Sequence, residues 1–204
     1  MERIALMAEN SESFTPIPIS KGQQCCLEAY CLLHGHGIEP NLEDATRWFN
    51  KAASLGEPRA YFALGEMQEY GMGCRINKLE ATELYKKAAN LGDPSAQLKL
   101  AKMFLTEFEE KNLMSHDFSL TVSDSLQIAD NHKIALRLFK QAAATCLPEA
   151  ITQLGHIYET GGFEDEKSGL FYPLVRKNKE KAQSYYIKSA SMGDEGGINF
   201  LGAF

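Results

Sequence analysis

Residues 51–60 read KAASLGEPRA and residues 87–96 read KAANLGDPSA, nearly the same phrase 36 positions apart. The match extends in both directions at that spacing. Gly35 and Gly37 answer Gly71 and Gly73, Ala45 answers Ala81, Phe49 answers Tyr85, and Ala52-Ala53 answers Ala88-Ala89. The phrase returns twice more with insertions. FKQAAATCLPEA ends at Ala150, 54 residues after Ala96, and YIKSASMGDEGG puts Met192-Gly193 101 residues after Leu91-Gly92. A second phrase recurs in step with it, as FALGEM (62–67), LKLAKM (98–103), TQLGHI (152–157) and NFLGAF (199–204). A fixed period of this size marks a stacked array, because one short supersecondary unit cannot bury its own apolar face.

The unit is helical. Ala81, Leu84, Tyr85, Ala88 and Leu91 fall at i, i+3, i+4, i+7 and i+10, one face of a helix and not of a strand. Asn77 precedes this run with Glu80 three residues on, the spacing of a capping box. Gly92 follows where a left-handed cap is wanted, and Asp93-Pro94 supplies an N-cap and a first-turn proline for the next helix. The other helix of the unit is expected over Pro58 to Tyr70, ending at Gly71-Met72-Gly73. Ala29, Gly65, Ala101, Gly155 and Gly202 are equivalent on successive first helices, and Ala52, Ala88, Ala142 and Ser189 on second helices. Such small residues let paired helices approach closely. Leu64, Leu100, Leu154 and Leu201, with Phe49, Tyr85, Phe139 and Tyr186, fill the space around them.

The units LGEMQEYGMGCRINKLEATELYKKAANLGDPSA and YCLLHGHGIEPNLEDATRWFNKAASLGEPRA resemble the Sel-one-like repeat, a relative of the tetratricopeptide repeat. The resemblance covers about 23–106 and 131–204. It implies an all-α fold, a right-handed α-α superhelix of about four units with a partial fifth. The units are expected at about 23–58, 59–94, 95–148 (insertion 107–130), 149–195 (insertion 163–176) and 196–204, after an extended or disordered segment, 1–22. Gln68 and Leu32 depart from the family's usual aromatic, which Phe104 and Tyr158 keep. Unit three lacks the Gly-x-Gly loop, and Cys146 replaces the capping glycine, so that helix end is expected to turn less tightly. Both insertions are long for connections in a compact fold. Phe171, Tyr172, Leu174 and Val175 are apolar enough to dock on the array or on a partner, and Ser123 and Ser125 could accept phosphate.

Twenty-one Lys and Arg against 27 Asp and Glu give a net charge of −6, which argues against nucleic acid as a partner. No apolar run approaches the roughly 18 residues of a spanning helix, so no membrane insertion is expected. The apolar stretch IALMA near the N-terminus is shorter than a signal-peptide core. With five cysteines, no recurring spacing and no Asn-x-Ser/Thr sequon, a reducing, cytoplasmic location is expected.

Chemistry is harder to find. Cys25, Cys26, Cys31, His34 and His36 cluster like zinc ligands, yet Cys25, Cys26, Cys31 and His34 align with Tyr61, Phe62, Met67 and Tyr70, which are packing types. GHG (35–37) and GMG (71–73) lack the preceding strand and spacing of a phosphate cradle. His116, His132 and His156 have no sequence-local nucleophile partner. No metal, cofactor or catalytic residue is therefore expected, and an enzyme ranks last among the readings. What remains is a surface. In repeats of this type the first helices line the concave face, where Tyr30, Leu33, Phe62, Glu66, Glu69, Lys102, His156 and Glu159 are the candidate binding residues. Aromatic and apolar anchors beside acidic groups suit a peptide carrying a basic residue. The resemblance implies a non-catalytic adaptor or scaffold for a protein or peptide partner, as in assemblies for signalling, quality control or cell-wall synthesis. The alternative is a regulatory module of a larger protein, such as a kinase or synthase. The apolar C-terminal stretch INFLGAF is a candidate for self-association.

Overall fold

The structure is a computed structural model describing residues 19–36, 39–113, 122–164 and 171–202, without the side chains of 106–129 and 164. Four helical hairpins and a last helix follow one another among these residues: α1 (Lys21–His34) with α2 (Leu42–Ser54), α3 (Pro58–Tyr70) with α4 (Lys78–Asn90), α5 (Pro94–Leu113) with α6 (Val122–Ala144), α7 (Pro148–Thr160) with α8 (Lys179–Ala190), then α9 (Glu195–Leu201). Each helix packs on its hairpin partner and on the next helix in sequence. We call the first helix of each hairpin A and the second B. The result is an all-α helical-hairpin solenoid with one continuous seam of small residues: Ala29, Ala52, Ala88, Ala101, Ala142 and Ser189 are wholly buried.

Repeated backbone bonds close the A–B loops. The N-cap asparagines of α2, α4 and α8 donate their N–H back to the A helix: Asn41 to the Leu32 carbonyl, Asn77 to Gln68 and Asn178 to Tyr158, at 2.8–2.9 Å. The capping-box spacing at Asn77 is therefore met differently. Its side chain accepts from the Glu80 N–H at 3.2 Å, but its own N–H is taken by Gln68, and Glu80 accepts instead from the Asn77 amide at 3.1 Å. The reciprocal box occurs at α1, where Ser20 and Gln23 satisfy each other's N–H. Up to residue 18, the segment expected to be extended lies outside the described residues.

Two features correct the sequence expectations, and a third decides between two of them. Cys146 does not loosen its helix end. It adopts φ 61°, the left-handed conformation that Gly56 (80°), Gly92 (93°) and Gly193 (83°) adopt at the equivalent turns. The loop geometry overrides the side chain's preference. The insertion at 107–130 is no open loop in its described part, since it lengthens α5 to Leu113 and starts α6 at Val122. The Ser123 and Ser125 side chains lie outside the described residues. The insertion after α7 forms a short antiparallel ribbon, β1 (Gly162–Glu164) with β2 (Phe171–Pro173), in the register Phe163 opposite Tyr172. This ribbon docks on the array. Tyr172 stacks on the buried His132 of α6 at 4.6 Å, Phe163 lies 5.7 Å from the same ring, and Val175 packs into the core beside them.

A left-handed non-glycine residue costs about 1 kcal/mol. Cys146→Gly should therefore raise Tm by roughly 2–4 °C in thermal unfolding. Gly92→Ala should lower it by a similar amount, since an added Cβ there meets nothing within 4 Å and only the backbone objects.

Candidate functional site

The A helices carry the candidate residues, and one packing rule decides how free each is. In unit two, Gly65 lies under the ring of Tyr85, so close that an added Cβ would fall 2.6 Å from Cε1. The ring runs along α3 for one turn, and its hydroxyl donates to Glu69 Oε2 at 2.6 Å. Unit four repeats the arrangement: a Cβ on Gly155 would fall 2.5 Å from Tyr186 Cε1, and the Tyr186 hydroxyl donates to Glu159 at 2.8 Å. Units one and three use another set at the same three positions, Ala29, Phe49 and Leu33, and Ala101, Phe139 and Leu105. Tyrosine thus goes with glycine and glutamate, and phenylalanine with alanine and leucine. The physical reason is that a buried hydroxyl needs an acceptor and a phenyl ring needs an apolar neighbour.

This places Leu33, Glu69 and Glu159 in one register, each engaged inside its own unit. Glu69 also reaches the next unit, with Lys99 Nζ of α5 2.8 Å away. Burial alone would raise its carboxyl, but hydrogen bonds from Lys99 and Tyr85 and the charge of Lys99 hold it below its ordinary value. Burial, then the bond to Glu69, drives the Tyr85 hydroxyl far up. Phe62 lies half-buried against the Tyr85 ring, centroids 5.5 Å apart.

The remaining four, Tyr30, Glu66, Lys102 and His156, form the neighbouring register, one residue past the buried Ala or Gly. Tyr30 is half-buried, edge-on to Phe49 at 5.0 Å and parallel to His34 at 6.1 Å. Glu66 is half-buried. Lys102 is exposed and pairs with Glu149 of α7. His156 faces Phe200 of α9 at 5.8 Å. Cys25 and Cys26 are buried in the core of unit one, and burial first pushes the Cys26 thiol up to about 11. Among the described residues no group of three or more His, Cys, Asp or Glu could hold a metal ion.

Sequence reasoning missed one polar cluster. Thr152 and Ser189 stand where other units place Phe62 or Leu98 and Ala88, and they bond to each other and to Asp194, the N-cap of α9, at 2.7 and 3.0 Å. The Gly197 N–H adds a third bond to that carboxylate at 2.8 Å. Burial would raise the Asp194 carboxyl, but these bonds outweigh it and hold the group low. Phe200 stacks on Tyr186 at 4.9 Å. The exchange of two packing residues for hydroxyls, both in one unit, was the available signal.

Glu69→Leu should cost about 1–3 kcal/mol by stranding the Tyr85 hydroxyl. Adding Tyr85→Phe and Gly65→Ala, which converts unit two to the other set, should recover most of that loss in denaturant unfolding. Glu69 binds its proton more weakly folded than unfolded. Its contribution is therefore complete above the ordinary value of 4.5 and is lost as pH falls through the lowered one. Glu69→Gln should accordingly flatten the acid side of the stability–pH curve, and because Glu69 also raises Lys99 it should remove part of the stability that is lost on the alkaline side.

The pattern of the Sel1 repeat matches residues 26–57, 58–93, 126–144 and 148–194. In unit three it covers α6 and not the altered A helix. The chain is 28% identical over 185 residues to an uncharacterized protein of Neisseria meningitidis serogroup B, covering 83% of this chain and 36% of that protein. Its fold is similar to the crystal structure of a Sel1 repeat protein from Oxalobacter formigenes, with TM-score 0.66 and 25% identity over 93% of this chain and 66% of that one. It is also similar in fold to a protective antigen present in uropathogenic Escherichia coli strains displaying an SLR fold, with TM-score 0.59 and 24% identity over 90% of this chain and 33% of that one. The chain spans about a third of the length of the curated relative. No helix among the described residues is long and apolar enough to cross a membrane. With a helical-hairpin array and a repeat pattern matched over most of its length, the chain belongs to the Sel1 repeat family, whose repeats generally mediate protein–protein interactions.

Proposed function

We propose that the chain is a non-catalytic adaptor that holds segments of other proteins along the A-helix face. One observation carries this reading. The register Ala29, Gly65, Ala101, Gly155 is buried and confined to the two smallest residues, while the adjacent register reads Tyr30, Glu66, Lys102, His156 and is partly open. Packing dictates the first row and leaves the second free to differ in each unit. A row of four different chemistries at one repeat spacing suits selection of an extended segment, with affinity concentrated in a few anchors. Leu33, Phe62, Glu69 and Glu159 support that row from within. The unpaired thiols favour work in a reducing, cytoplasmic setting. A second reading, an interaction module serving a longer protein, is favoured by the greater length of the relatives. Self-association through α9 is the lesser alternative, since the Phe200 ring already packs on Tyr186.

A displayed random-peptide library selected on the protein tests the adaptor role. Glu66→Ala, Lys102→Ala and His156→Ala combined should weaken the selected peptides by about tenfold or more while helical content and melting stay near wild type. Failure to select any peptide, or selected peptides that bind this variant as well as wild type, would refute it.

A further inference from the structure

Neighbouring A helices are tied together by side chains at every seam but one among the described residues. Between α3 and α5, Lys99 meets Glu69 at 2.8 Å. Between α5 and α7, Lys102 meets Glu149. Between α7 and α9, Thr152 donates to Asp194 and His156 faces Phe200. Between α1 and α3 the described residues form no ion pair and no side-chain hydrogen bond. Tyr30 of α1 and Glu66 of α3 stand there at the same register.

Glu66 is the exception among the acidic candidates. Glu69 has Tyr85 and Lys99, and Glu159 has Tyr186. Glu66, half-buried, makes no hydrogen bond or ion pair among the described residues. Burial raises its carboxyl above the ordinary value. Lys99 draws it partway back, and the like charges of Glu69 and Asp93 add to the rise. The Lys99 ammonium is already held by Glu69 and lies 3.4 Å from the Tyr70 hydroxyl. Arg59, two turns earlier on α3, acts on Asp93 and Tyr30. A half-buried carboxylate that shares its nearest cation, Lys99, with Glu69 and has no bonded partner of its own among the described residues is under-compensated, so this seam is poised to gain from a further cation. Tyr30 supplies the second element. Its ring is fixed against Phe49 and His34, and its hydroxyl, pushed up to about 12 by burial first, then Cys26, also feels the charge of Glu66.

We infer that the α1–α3 seam receives a cationic side chain of a protein partner, an arginine before a lysine, with its guanidinium on Glu66 and its plane against Tyr30. A planar fork satisfies both carboxylate oxygens and stacks on an aromatic face, which an ammonium does less well. The inference rests on the adaptor role and names the chemistry of the segment that role would bind.

Two measurements on the full chain separate the two ideas. The first titrates N-acetyl-arginine methylamide while following the Glu66 carboxyl carbon by NMR, with the exposed Glu43 as reference. A saturable shift at Glu66, weaker with the lysine analogue and absent with the norleucine one, is expected. In Glu66→Gln, the Tyr30 ring signals should stop responding. A linear drift equal at Glu43 and Glu66 would overturn the inference. The second replaces each Arg or Lys of a library-selected peptide by norleucine. One such replacement should weaken binding to wild type by about tenfold and to Glu66→Gln hardly at all. If the arginine probe saturates at Glu66 but no peptide binds the A-helix face, the cation seat stands and the adaptor role falls. If peptides bind that face with no loss on any such replacement, the adaptor role stands and the cation seat falls.

Discussion

An aromatic ring laid across a helix backbone with almost no side chain in the way is the contact on which each unit of this array rests. Tyr85 over Gly65 and Tyr186 over Gly155 bring the B helix as close to the A helix as heavy atoms allow. Ala29 and Ala101 with Phe49 and Phe139 occupy the same places in the other units, all four residues wholly buried. The choice of ring fixes the polarity of its surroundings. A tyrosine hydroxyl brought into the core demands an acceptor one turn along the A helix, and that acceptor is a carboxylate. In unit two the carboxylate then stands within reach of the following unit and attracts Lys99. Packing inside one hairpin thereby generates electrostatic coupling to the next, and Glu69 joins three helices through a single carboxylate.

Much of the fold was legible because period and punctuation agree. The A helix of unit two runs from Pro58 to Tyr70, between the proline and the glycine that mark its ends in the sequence. The turn glycines take left-handed conformations where the repeat places them. What could not be read were relations between residues on different helices. Glu69 looks like a surface acid in a linear sequence, because its partner Tyr85 lies 16 positions away on another element. Setting the three columns side by side, small residue, ring and the residue four positions on, would have exposed the pairing. Cys146 was misjudged for a related reason. Intrinsic preference favours a looser end, but the bonds from Cys146 to Ala143 and from Leu147 to Ala142 hold the turn in the repeat's own shape. The long insertions resemble loops by length alone, and nothing local in 163–176 announces that Tyr172 will find His132 across the chain.

The eight candidate residues all lie on A helices, as the repeat spacing predicts, but their connections to one another could not be read. Sequence equivalence groups the eight residues and cannot say which are already engaged. Three of them serve a neighbouring ring or core, and Phe62 lies on Tyr85. Of the charged members, Lys102, Glu69 and Glu159 all have partners within the chain. The candidate row is therefore largely a set of contacts closed within the chain, and among the described residues Glu66 is its acidic member without a hydrogen bond or ion pair.

The ribbon between α7 and α8 belongs to unit four by sequence and rests on α6 of unit three. A solenoid whose repeats touch only through matching sides can gain or lose members by unequal crossing-over, since any copy fits beside any other. Units three and four are not interchangeable in that way: removing or duplicating either alone would leave a strap without its seat or a seat without its strap. Copying or deleting one unit of the strapped pair would therefore separate the ribbon from the helix it rests on.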